Sequence, residues 1–481
     1  MLRNQVQLIT YPDSLGGTLR DVRHFLDSYV KGVVGGVHIL PFYPSSADRG
    51  FAPLTHLEVE PRFGSWDDIA AIGQDYDLVA DLTVNHISMQ SEYFQDYLAR
   101  GDASPYVDLF LEVETVLERH GVELEAFAKI YRPRPTLPFS TFKLWDGTTK
   151  RVWTTFTNHQ VDLDVESEMT RVLMTRFIDQ LIDHGVNLIR LDAVGYTVKR
   201  PWTSSFLIPE TYDFIRWLRS VTPAHVELLA EIHHDPMRQQ ELLTQGNVEW
   251  VYDFSLPLLV LHALYSGEVA NLSHWITIRP SCQITTLDTH DGIGVVDVAG
   301  LMAQEEIAAT TTWVEQNGGN HAYQASGTNA DNVDTYQLNS TYYSALGEDD
   351  DAYITARAIQ FFIPGIPQVY YVGLLAGCND YEQFARTNHG RDVNRHNYTW
   401  DKISVAMEQP VVHRLRALMK LRSIHPAFQG TFSQQVTAPD TLVLRWEFQE
   451  HFCEATIDVF AKSVVVEHTE LYTGSVKIDQ F

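Results

Sequence analysis

The segment Val186-Asn187-Leu188-Ile189-Arg190-Leu191-Asp192 decides the fold of this 481-residue chain. Its apolar run has the length of a buried strand, and Asp192 stands where that strand would end. Residues 168–184, just before it, predict a helix whose apolar stripe is formed by Val172, Leu173, Phe177, Leu181 and Ile182. Gly185 then stands where a glycine commonly follows a helix. A helix that leads directly into a buried strand is the unit of a parallel sheet covered by helices.

The same alternation of short β-branched runs and amphipathic stretches extends along most of the chain. Eight runs are candidate strands, the number that closes a (β/α)₈ barrel. They are residues 5–10, 36–40, 78–84, 186–191, 226–230, 250–254, 284–288 and 368–371. The predicted fold class is therefore α/β, with a (β/α)₈ barrel at its centre.

The spacing of these runs is uneven and predicts the domain organisation. About 100 residues separate the third run from the fourth, far more than a crossover needs. A second long gap follows the seventh run and contains a polar, Gly- and Asn-rich stretch typical of a binding loop. The predicted parts are the barrel (1–84, 168–291 and 351–428), two inserted subdomains (85–167 and 292–350) and a small C-terminal β domain (429–481).

The composition limits the classes of partner. A net charge of −27 argues against nucleic acid and against an anionic membrane as partners. The first 20 residues lack the apolar core of a signal peptide, so a cytoplasmic location is expected. The three cysteines have no metal-ligand spacing and favour free, buried thiols in a reducing compartment.

Three carboxylates follow candidate strands four, five and seven, at the end of a barrel where active sites lie. Arg190 lies two residues before Asp192 and points to the same side, where it would favour the ionised form of a nucleophile. Glu231 leaves an apolar strand and is a candidate general acid. Asp291 follows His290, and such a pair can clamp adjacent sugar hydroxyls.

Each of these signals has a plainer explanation. Arg190 and Asp192 would equally serve as an ion pair at the barrel mouth, and Glu231 as an exposed loop glutamate. Asp291 with the glycine that follows it is also a common turn dipeptide. Taken together, the three carboxylates favour retaining transfer of a glycosyl group, which needs two carboxyls about 5 Å apart. Water, a sugar or phosphate could each be the acceptor.

Four blocks of sequence appear in order at the predicted strand ends. They are residues 81–86 (DLTVNH), residues 190–194 (RLDAV), Glu231 and residues 290–291 (HD). In this pattern the chain resembles glycoside hydrolase family 13, the α-amylase family. The resemblance implies that Asp192 is the nucleophile, Glu231 the acid/base and Asp291 the transition-state stabiliser. It also implies that Arg190, His86 and His290 contact glucose or the nucleophile.

A closer resemblance, to the sucrose phosphorylase subgroup, covers nearly the whole chain. It is carried by residues 37–42 (VHILPF), 287–294 (LDTHDGIG), 339–343 (NSTYY) and 364–371 (PGIPQVYY). It implies glucose contacts by Asp48, Phe156, Gln160 and Arg395. For the acceptor site it implies Arg134 and Tyr336 towards phosphate, Asp334 and Gln337 towards fructose, and Tyr196 and His233 beside them. The implied reaction transfers glucose from sucrose to inorganic phosphate, with no metal or cofactor and with a homodimer as the expected assembly.

Electrostatics supports a local basic loop. A chain at −27 must concentrate positive charge where phosphate arrives, and Arg132 and Arg134, stiffened by Pro133 and Pro135, would do so. The plain alternative is a solvated rim. Asp334 and Gln337, with no additional basic cluster in their loop, favour free fructose as the leaving group over a phosphorylated one, as in sucrose 6′-phosphate, or a carboxylated one, as in glucosylglycerate. A phosphorylase that acts on glucosylglycerol is the nearest alternative. A glucosidase or sucrose hydrolase, and a barrel without catalysis, are the more distant alternatives.

Overall fold

The computed structural model describes residues 2–133, 136–326, 333–471 and 473–481. Eight parallel strands close into a barrel in which each strand pairs with its neighbours in chain order, and the last pairs with the first. The barrel strands are β1 Gln7–Thr10, β2 Gly36–Ile39, β3 Asp77–Thr83, β4 Val186–Asp192, β5 Glu227–Ala230, β6 Trp250–Asp253, β7 Gln283–Thr285 and β8 Ile366–Tyr370. The predicted fold class and all eight predicted barrel strands are confirmed.

The seventh strand is shorter than predicted. It was expected over residues 284–288 but ends at Thr285. The hydroxyl of Thr286 donates to the carbonyl oxygen of Asp288 at 2.7 Å. This local turn takes the place of the hydrogen bonds to the neighbouring strands. The chain is thereby turned towards the barrel mouth before it reaches His290 and Asp291.

Helices alternate with the strands and cover the barrel. Their bounds are Leu19–Phe25, Trp66–Gly73, Glu92–Arg100, Val113–His120, Glu168–Asp183, Pro209–Val221, Pro236–Thr244, Leu256–Ser266, Ala270–Ile278, Gln304–Gln316, Tyr342–Ala345, Asp350–Phe362, Tyr371–Leu374, Tyr381–Thr387, Trp400–Met407 and Pro410–Ile424. The helix before β4 begins after Ser167, whose side chain accepts from the Met169 N–H, and Gly185 follows it at φ 87°. Leu173, Phe177 and Leu181 are buried as predicted, but Val172 is 49% exposed, so its assignment to the buried stripe is wrong.

The barrel interior is filled by side chains, so the barrel is not a pore. One buried cluster takes a residue from each of six strands: Val79, Leu188, Leu229, Tyr252, Ile284 and Ile366. Side chains two residues further along a strand point to the same side. Arg190 and Asp192 therefore continue the row of Leu188 towards the carboxyl end of β4.

The segment between β3 and β4 carries its own strands: His86–Ser88, Tyr131–Arg132, Phe139–Lys143, Thr149–Trp153 and Gln160–Asp162. His86–Ser88 pairs antiparallel with Gln160–Asp162, which fixes the two ends of the segment against each other. The segment after β7 adds Ile293–Gly294, Asn320–Ser326 and Val333–Asn339. Asn320–Ser326 pairs with Tyr131–Arg132, so one four-stranded sheet joins the two segments.

The C-terminal part is an antiparallel sheet of five strands in chain order. They are Thr431–Ala438, Thr441–Phe448, His451–Asp458, Ser463–Thr469 and Val476–Gln480. The sheet packs on the helix Asp350–Phe362, where the Trp446 indole N–H donates to the Phe362 carbonyl at 2.6 Å. The domain boundaries themselves stay a prediction.

The cysteines are free thiols, as expected, but their predicted burial is wrong for two of the three. Cys453 is buried, whereas Cys282 and Cys378 are exposed. Cys282 lies in the turn that precedes β7, and Cys378 lies in the loop after the helix Tyr371–Leu374. In the described ranges, no helix is both long enough and apolar enough to cross a membrane.

Candidate active site

A cavity opens at the carboxyl ends of the barrel strands and collects most of the predicted site residues. Those that line it are Asp48, His86, Phe156, Gln160, Asp192, Tyr196, Glu231, His233, His290, Asp291, Tyr336 and Gln337. Arg190 lies beneath Asp192, and Arg395 contacts Asp48 and Asp291 from the side. Residues separated by hundreds of positions thus meet because parallel strands end at one face of the barrel.

Arg190 is the buried charge around which the floor of the site is built. Its guanidinium donates to Asp81 on the adjacent strand β3, and to Asp192 Oδ1 at 3.0 Å. Glu231 Oε2 lies 3.7 Å away. Burial acts to lower the pKa of Arg190, but the three carboxylates outweigh it and raise that pKa well above its usual value. Arg190 is therefore a permanent cation under the carboxylates.

Asp81 completes this floor and was not among the predicted catalytic or binding residues. His38 Nε2 on β2 lies 2.8 Å from Asp81 Oδ2. Burial acts to raise the pKa of Asp81, but Arg190 and His38 lower it to about 2. Asp81 is thus ionised and shares Arg190 with Asp192, which orients the guanidinium.

Asp192 is governed by burial more than by its arginine. Burial raises the pKa of Asp192 well above its usual value, and the charge of Glu231 adds to the rise. Arg190 acts in the opposite direction and lowers that pKa, as predicted. Arg190 thus favours the ionised form of Asp192, but burial has the larger effect on its pKa. The nearby charge of Glu231 acts in the same direction as burial and favours the protonated form of Asp192.

Glu231 follows the last residue of β5 and is only 8% exposed, so it is not an ordinary exposed loop glutamate. Its Oε2 accepts from the backbone N–H of Ala193 at 3.3 Å, and His233 Nε2 lies 3.7 Å from its Oε1. Ala193 adopts a left-handed conformation at φ 56° and ψ 25°, which is costly for a residue with a side chain. This strained turn after β4 aims its N–H at the carboxylate that follows β5.

Asp291 is held in its ionised form by the cations around it. Arg391 Nη1 lies 2.6 Å from its Oδ1, and Arg395 Nη2 lies 3.9 Å from the same atom. Burial acts to raise the pKa of Asp291, but Arg391, His290 and Arg395 hold it well below its usual value. Asp291 therefore keeps its negative charge. Sequence reasoning missed Arg391, which lies in a short helix, Gly390–Asn394, outside every recognised block.

The glucose-side residues form a connected wall. The ring of His290 stacks on Phe51 with centroids 4.9 Å apart, and Phe156 packs against His86 at 5.3 Å. The backbone oxygen of Phe51 lies 2.9 Å from His86 Nε2 and accepts from Gln160 at 2.8 Å. Burial lowers the pKa of His86 and of His290, so both rings are neutral groups that can donate and accept hydrogen bonds.

Asp48 and Arg395 close the far end of that wall. Arg395 Nη1 lies 3.5 Å from Asp48 Oδ1, and its Nε donates to the carbonyl oxygen of His290 at 2.9 Å. Asp48 and the following Arg49 both have positive φ, 48° and 50°. Such strain in non-glycine residues is typical of ligand sites. Phe51, like Arg391, was not predicted from the sequence.

The acceptor side faces Glu231 from the other direction. His233 is stacked on Phe254 with centroids 4.0 Å apart, and Tyr336 meets it edge-on at 5.5 Å. The Gln337 amide nitrogen lies 2.9 Å from His233 Nε2. Tyr196 packs against Phe156 at 5.1 Å, which joins the two walls.

The predicted basic loop is only partly described. Arg134 lies outside the described residues, and so does the side chain of Asp334, although its backbone belongs to the strand Val333–Asn339. Arg132 is buried and donates to the carbonyl oxygen of Thr136 at 3.0 Å. Pro133 lines the cavity and Arg132 does not, so the pairing of Arg132 with Arg134 as a joint phosphate site is wrong for Arg132.

A cation site can also be read from the same side chains. One ligand atom from each of Glu231, His233 and Asp291 lies within 4.8 Å of the others. Arg391 already pairs with Asp291 at 2.6 Å and neutralises much of the charge that a metal would need. The absence of a metal requirement stays a prediction.

The fold and the three carboxylates define a class of protein. It is the class of retaining enzymes that transfer glycosyl groups and are built on a (β/α)₈ barrel. The chain belongs to the α-amylase family, glycoside hydrolase family 13, whose catalytic domain matches residues 10–407. Within it the chain is a phosphorylase of the sucrose and glucosylglycerol group.

Close relatives support this placement over nearly the whole chain. The chain is 44% identical to the glucosylglycerol phosphorylase of Marinobacter adhaerens, with 99% of each chain covered. It is 44% identical to the sucrose phosphorylase of Bifidobacterium adolescentis, with 92% of this chain and 90% of the relative covered. The crystal structure of sucrose 6F-phosphate phosphorylase from Thermoanaerobacter thermosaccharolyticum superposes with a TM-score of 0.95 at 41% identity, covering 100% and 99% of the two chains.

Proposed function

We propose that this enzyme transfers glucose from sucrose to inorganic phosphate and forms α-glucose 1-phosphate and fructose. The main support is a group of four side chains beside Glu231, here called the acceptor wall. It consists of Tyr196, His233, Tyr336 and Gln337 and offers hydroxyl, imidazole and amide groups. Among the described lining residues the one arginine or lysine is Arg391, and it pairs with Asp291. The uncharged polar groups of this wall suit hydrogen bonds to the hydroxyls of a polyol leaving group.

The first half of the reaction needs a proton on Glu231 and a free carboxylate on Asp192. Glu231 gives that proton to the glycosidic oxygen, while Asp192 attacks the anomeric carbon of glucose and the bond to fructose breaks. The ionised Asp291 holds sugar hydroxyls through charge-assisted hydrogen bonds, and the neutral His290 holds them through ordinary ones. Arg190 stabilises the carboxylate that attacks. The products of this half are fructose and a glucosyl ester of Asp192.

In the second half, phosphate enters the space that fructose leaves. An oxygen of phosphate attacks the anomeric carbon, the ester to Asp192 breaks, and Glu231 accepts a proton from the attacking group. The configuration at the anomeric carbon is retained after two inversions. Arg134 and Tyr336 are proposed to receive phosphate, and Asp334 and Gln337 to receive fructose.

Glucosylglycerol is the second candidate donor. The relative from Marinobacter adhaerens, whose name states that activity, matches as well as the sucrose phosphorylases do. Glycerol is also an uncharged polyol, so the acceptor wall accommodates either leaving group. Asp334 and Gln337 favour fructose, as the sequence resemblance implies.

The test compares sucrose, glucosylglycerol and sucrose 6′-phosphate with the purified enzyme, each with and without phosphate. The expected result is phosphate-dependent release of α-glucose 1-phosphate, with the highest kcat/KM on sucrose. A higher kcat/KM on glucosylglycerol would replace the proposed donor by the second candidate. Equal glucose release with and without phosphate would instead make the enzyme a hydrolase.

A further inference from the structure

A buried carboxylate that no step of the reaction uses lies behind the acceptor wall. Asp297 is fully buried in the short helix Val296–Val298, which follows the strand Ile293–Gly294. A buried charge is costly unless it is paired and hydrogen-bonded. The groups that pair with this carboxylate therefore indicate what it holds in place.

The contacts of Asp297 converge on the residue beside the acid/base. Its Oδ2 lies 3.0 Å from His233 Nδ1, and its Oδ1 accepts from the backbone N–H of His234 at 3.1 Å. Gln239 also donates to Oδ1, at 3.0 Å. The carbonyl oxygen of Asp297 accepts from the hydroxyl of Ser255 at 2.6 Å. Three separate segments are thus fixed to this one residue.

The space for this carboxylate is made by a glycine. A Cβ on Gly294 would lie 2.0 Å from Asp297 Oδ2, far inside van der Waals contact. Gly294 also pairs with Gln337 across the sheet. The same short strand therefore places both the carboxylate behind His233 and the amide in front of it.

The other ring nitrogen of His233 faces the acceptor subsite. His233 Nε2 lies 2.9 Å from the Gln337 amide and 3.7 Å from Glu231 Oε1. When one ring nitrogen of a histidine donates to a carboxylate, the tautomer and the ring orientation are set. Stacking on Phe254 prevents the ring from turning.

We infer that Asp297 is a positioning residue for the acceptor half of the reaction, acting through His233. It holds the His233 ring so that Nε2 points at the attacking or leaving group, between Glu231 and Gln337. This inference rests on the proposed function. It makes the acceptor step depend on a residue that contacts neither glucose nor phosphate.

The charge of Asp297 also affects the protonation of His233. Burial acts to lower the pKa of His233, but Asp297, followed by Glu231 and Asp291, outweighs it and raises that pKa. Tyr336, also titratable, packs edge-on against the ring. Removal of the Asp297 charge lowers the pKa of His233, so the cation is lost at a lower pH. In the pH profile of the acceptor step, the loss of rate at high pH should therefore begin at a lower pH.

The test separates the two half-reactions in Asp297→Asn. Single-turnover release of fluoride from α-glucosyl fluoride reports glucosylation of Asp192, since fluoride is too small to fill the acceptor subsite. We expect this rate to stay within about twofold of wild type, while kcat/KM for phosphate falls by at least about tenfold. The alkaline limb of the phosphate step should also shift to lower pH. An equal loss in both half-reactions, or no loss in either, would overturn the inference.

Ser255→Ala is the matched control, because it removes a hydrogen bond to the Asp297 backbone and leaves the carboxylate contacts intact. We expect its phosphate step to be close to wild type; a loss as large as that of Asp297→Asn would contradict the role of the carboxylate. A double-mutant cycle with His233→Asn provides the second check. If Asp297 acts through His233, Asp297→Asn has little further effect in that background, whereas additive losses refute the coupling.

Gly294→Ala keeps the inference testable if Asp297→Asn does not fold. The added methyl displaces the carboxylate from His233 without removing its charge, and should slow the phosphate step at unchanged fluoride release. An unchanged phosphate step in a folded Gly294→Ala protein would contradict the inference. If wild type itself forms no α-glucose 1-phosphate, the proposed function fails. The comparison of half-reactions then uses whichever acceptor wild type accepts.

Discussion

The glucose side and the acceptor side of the cavity are built differently. On the glucose side, Arg190, Asp81 and Asp192 come from adjacent barrel strands. Arg190 forms ion pairs with both carboxylates beneath the site. On the acceptor side, Tyr336 and Gln337 come from a sheet that joins the two inserted segments. The first arrangement is fixed by barrel closure, while the second depends on how two insertions meet. The charges beneath Asp192 are therefore set by the barrel, whereas part of the predicted acceptor side depends on the insertions.

The largest effect is expected at the nucleophile. Asp192→Asn keeps the size of the side chain but removes the group that forms the glucosyl ester, so kcat should fall by about 10⁴-fold or more for every donor and acceptor. Initial rates of α-glucose 1-phosphate release measure this. The unfolding temperature of the variant should stay near that of wild type. An Asp192→Asn protein with rates near wild type would remove the glucose side from its assigned role.

The next largest effect is expected at the acid/base, Glu231. Its size should depend on whether the leaving group of the donor needs a proton. Glu231→Gln should slow turnover of sucrose by about 10³-fold but leave fluoride release from α-glucosyl fluoride nearly intact, because fluoride leaves without a general acid. The charge of Glu231 is one cause of the raised pKa of Asp192. In the variant that pKa falls, so the acid limb of fluoride release should move to lower pH. An acid limb that stays in place would show that the charge of Glu231 does not raise the pKa of Asp192.

A smaller effect, on stability, is expected under the glucose side. The pKa of Asp81 is about 2 in the folded chain, below the ordinary value of 3.8. Its ionised form therefore stabilises the fold by about 2 kcal/mol above pH 4, and this is lost as the pH falls from 4 towards 2. Asp81→Asn should lower the unfolding temperature at pH 7 and flatten its dependence on pH in that window. An unchanged dependence on pH would show that Asp81 does not carry this charge pairing.

The smallest effect is expected at the acceptor loop. Arg134→Ala should raise KM for phosphate about tenfold with less change in KM for sucrose, since a lost charge-assisted hydrogen bond costs about 1.4 kcal/mol or more. Initial rates at varied phosphate and at varied sucrose measure the two constants. Arg132→Ala is the comparison, because Arg132 donates inside the protein and does not line the cavity. Equal increases in both constants for Arg134→Ala would remove its special role.

The difference between the two sides also explains where sequence reasoning succeeded. Asp192 and Glu231 could be placed because each follows an apolar strand, and the ends of parallel strands meet at one face. Arg391 and Asp297 could not, because short irregular helices carry no periodic signal. The larger effect of burial on the pKa of Asp192 could not be predicted, because the neighbouring Arg190 is visible in the sequence, whereas the depth of burial is not.

The sequence by itself determined the barrel, its eight strands and the three carboxylates, since these follow from apolar periodicity and from residues adjacent in the chain. The tertiary structure decided which charges share Arg190, that Arg391 pairs with Asp291, and that Asp297 stands behind His233. Arg190 and Asp81 are 109 positions apart, Arg391 and Asp291 are 100 apart, and His233 and Asp297 are 64 apart. The energies of these contacts depend on distance and burial, which no local stretch of sequence specifies.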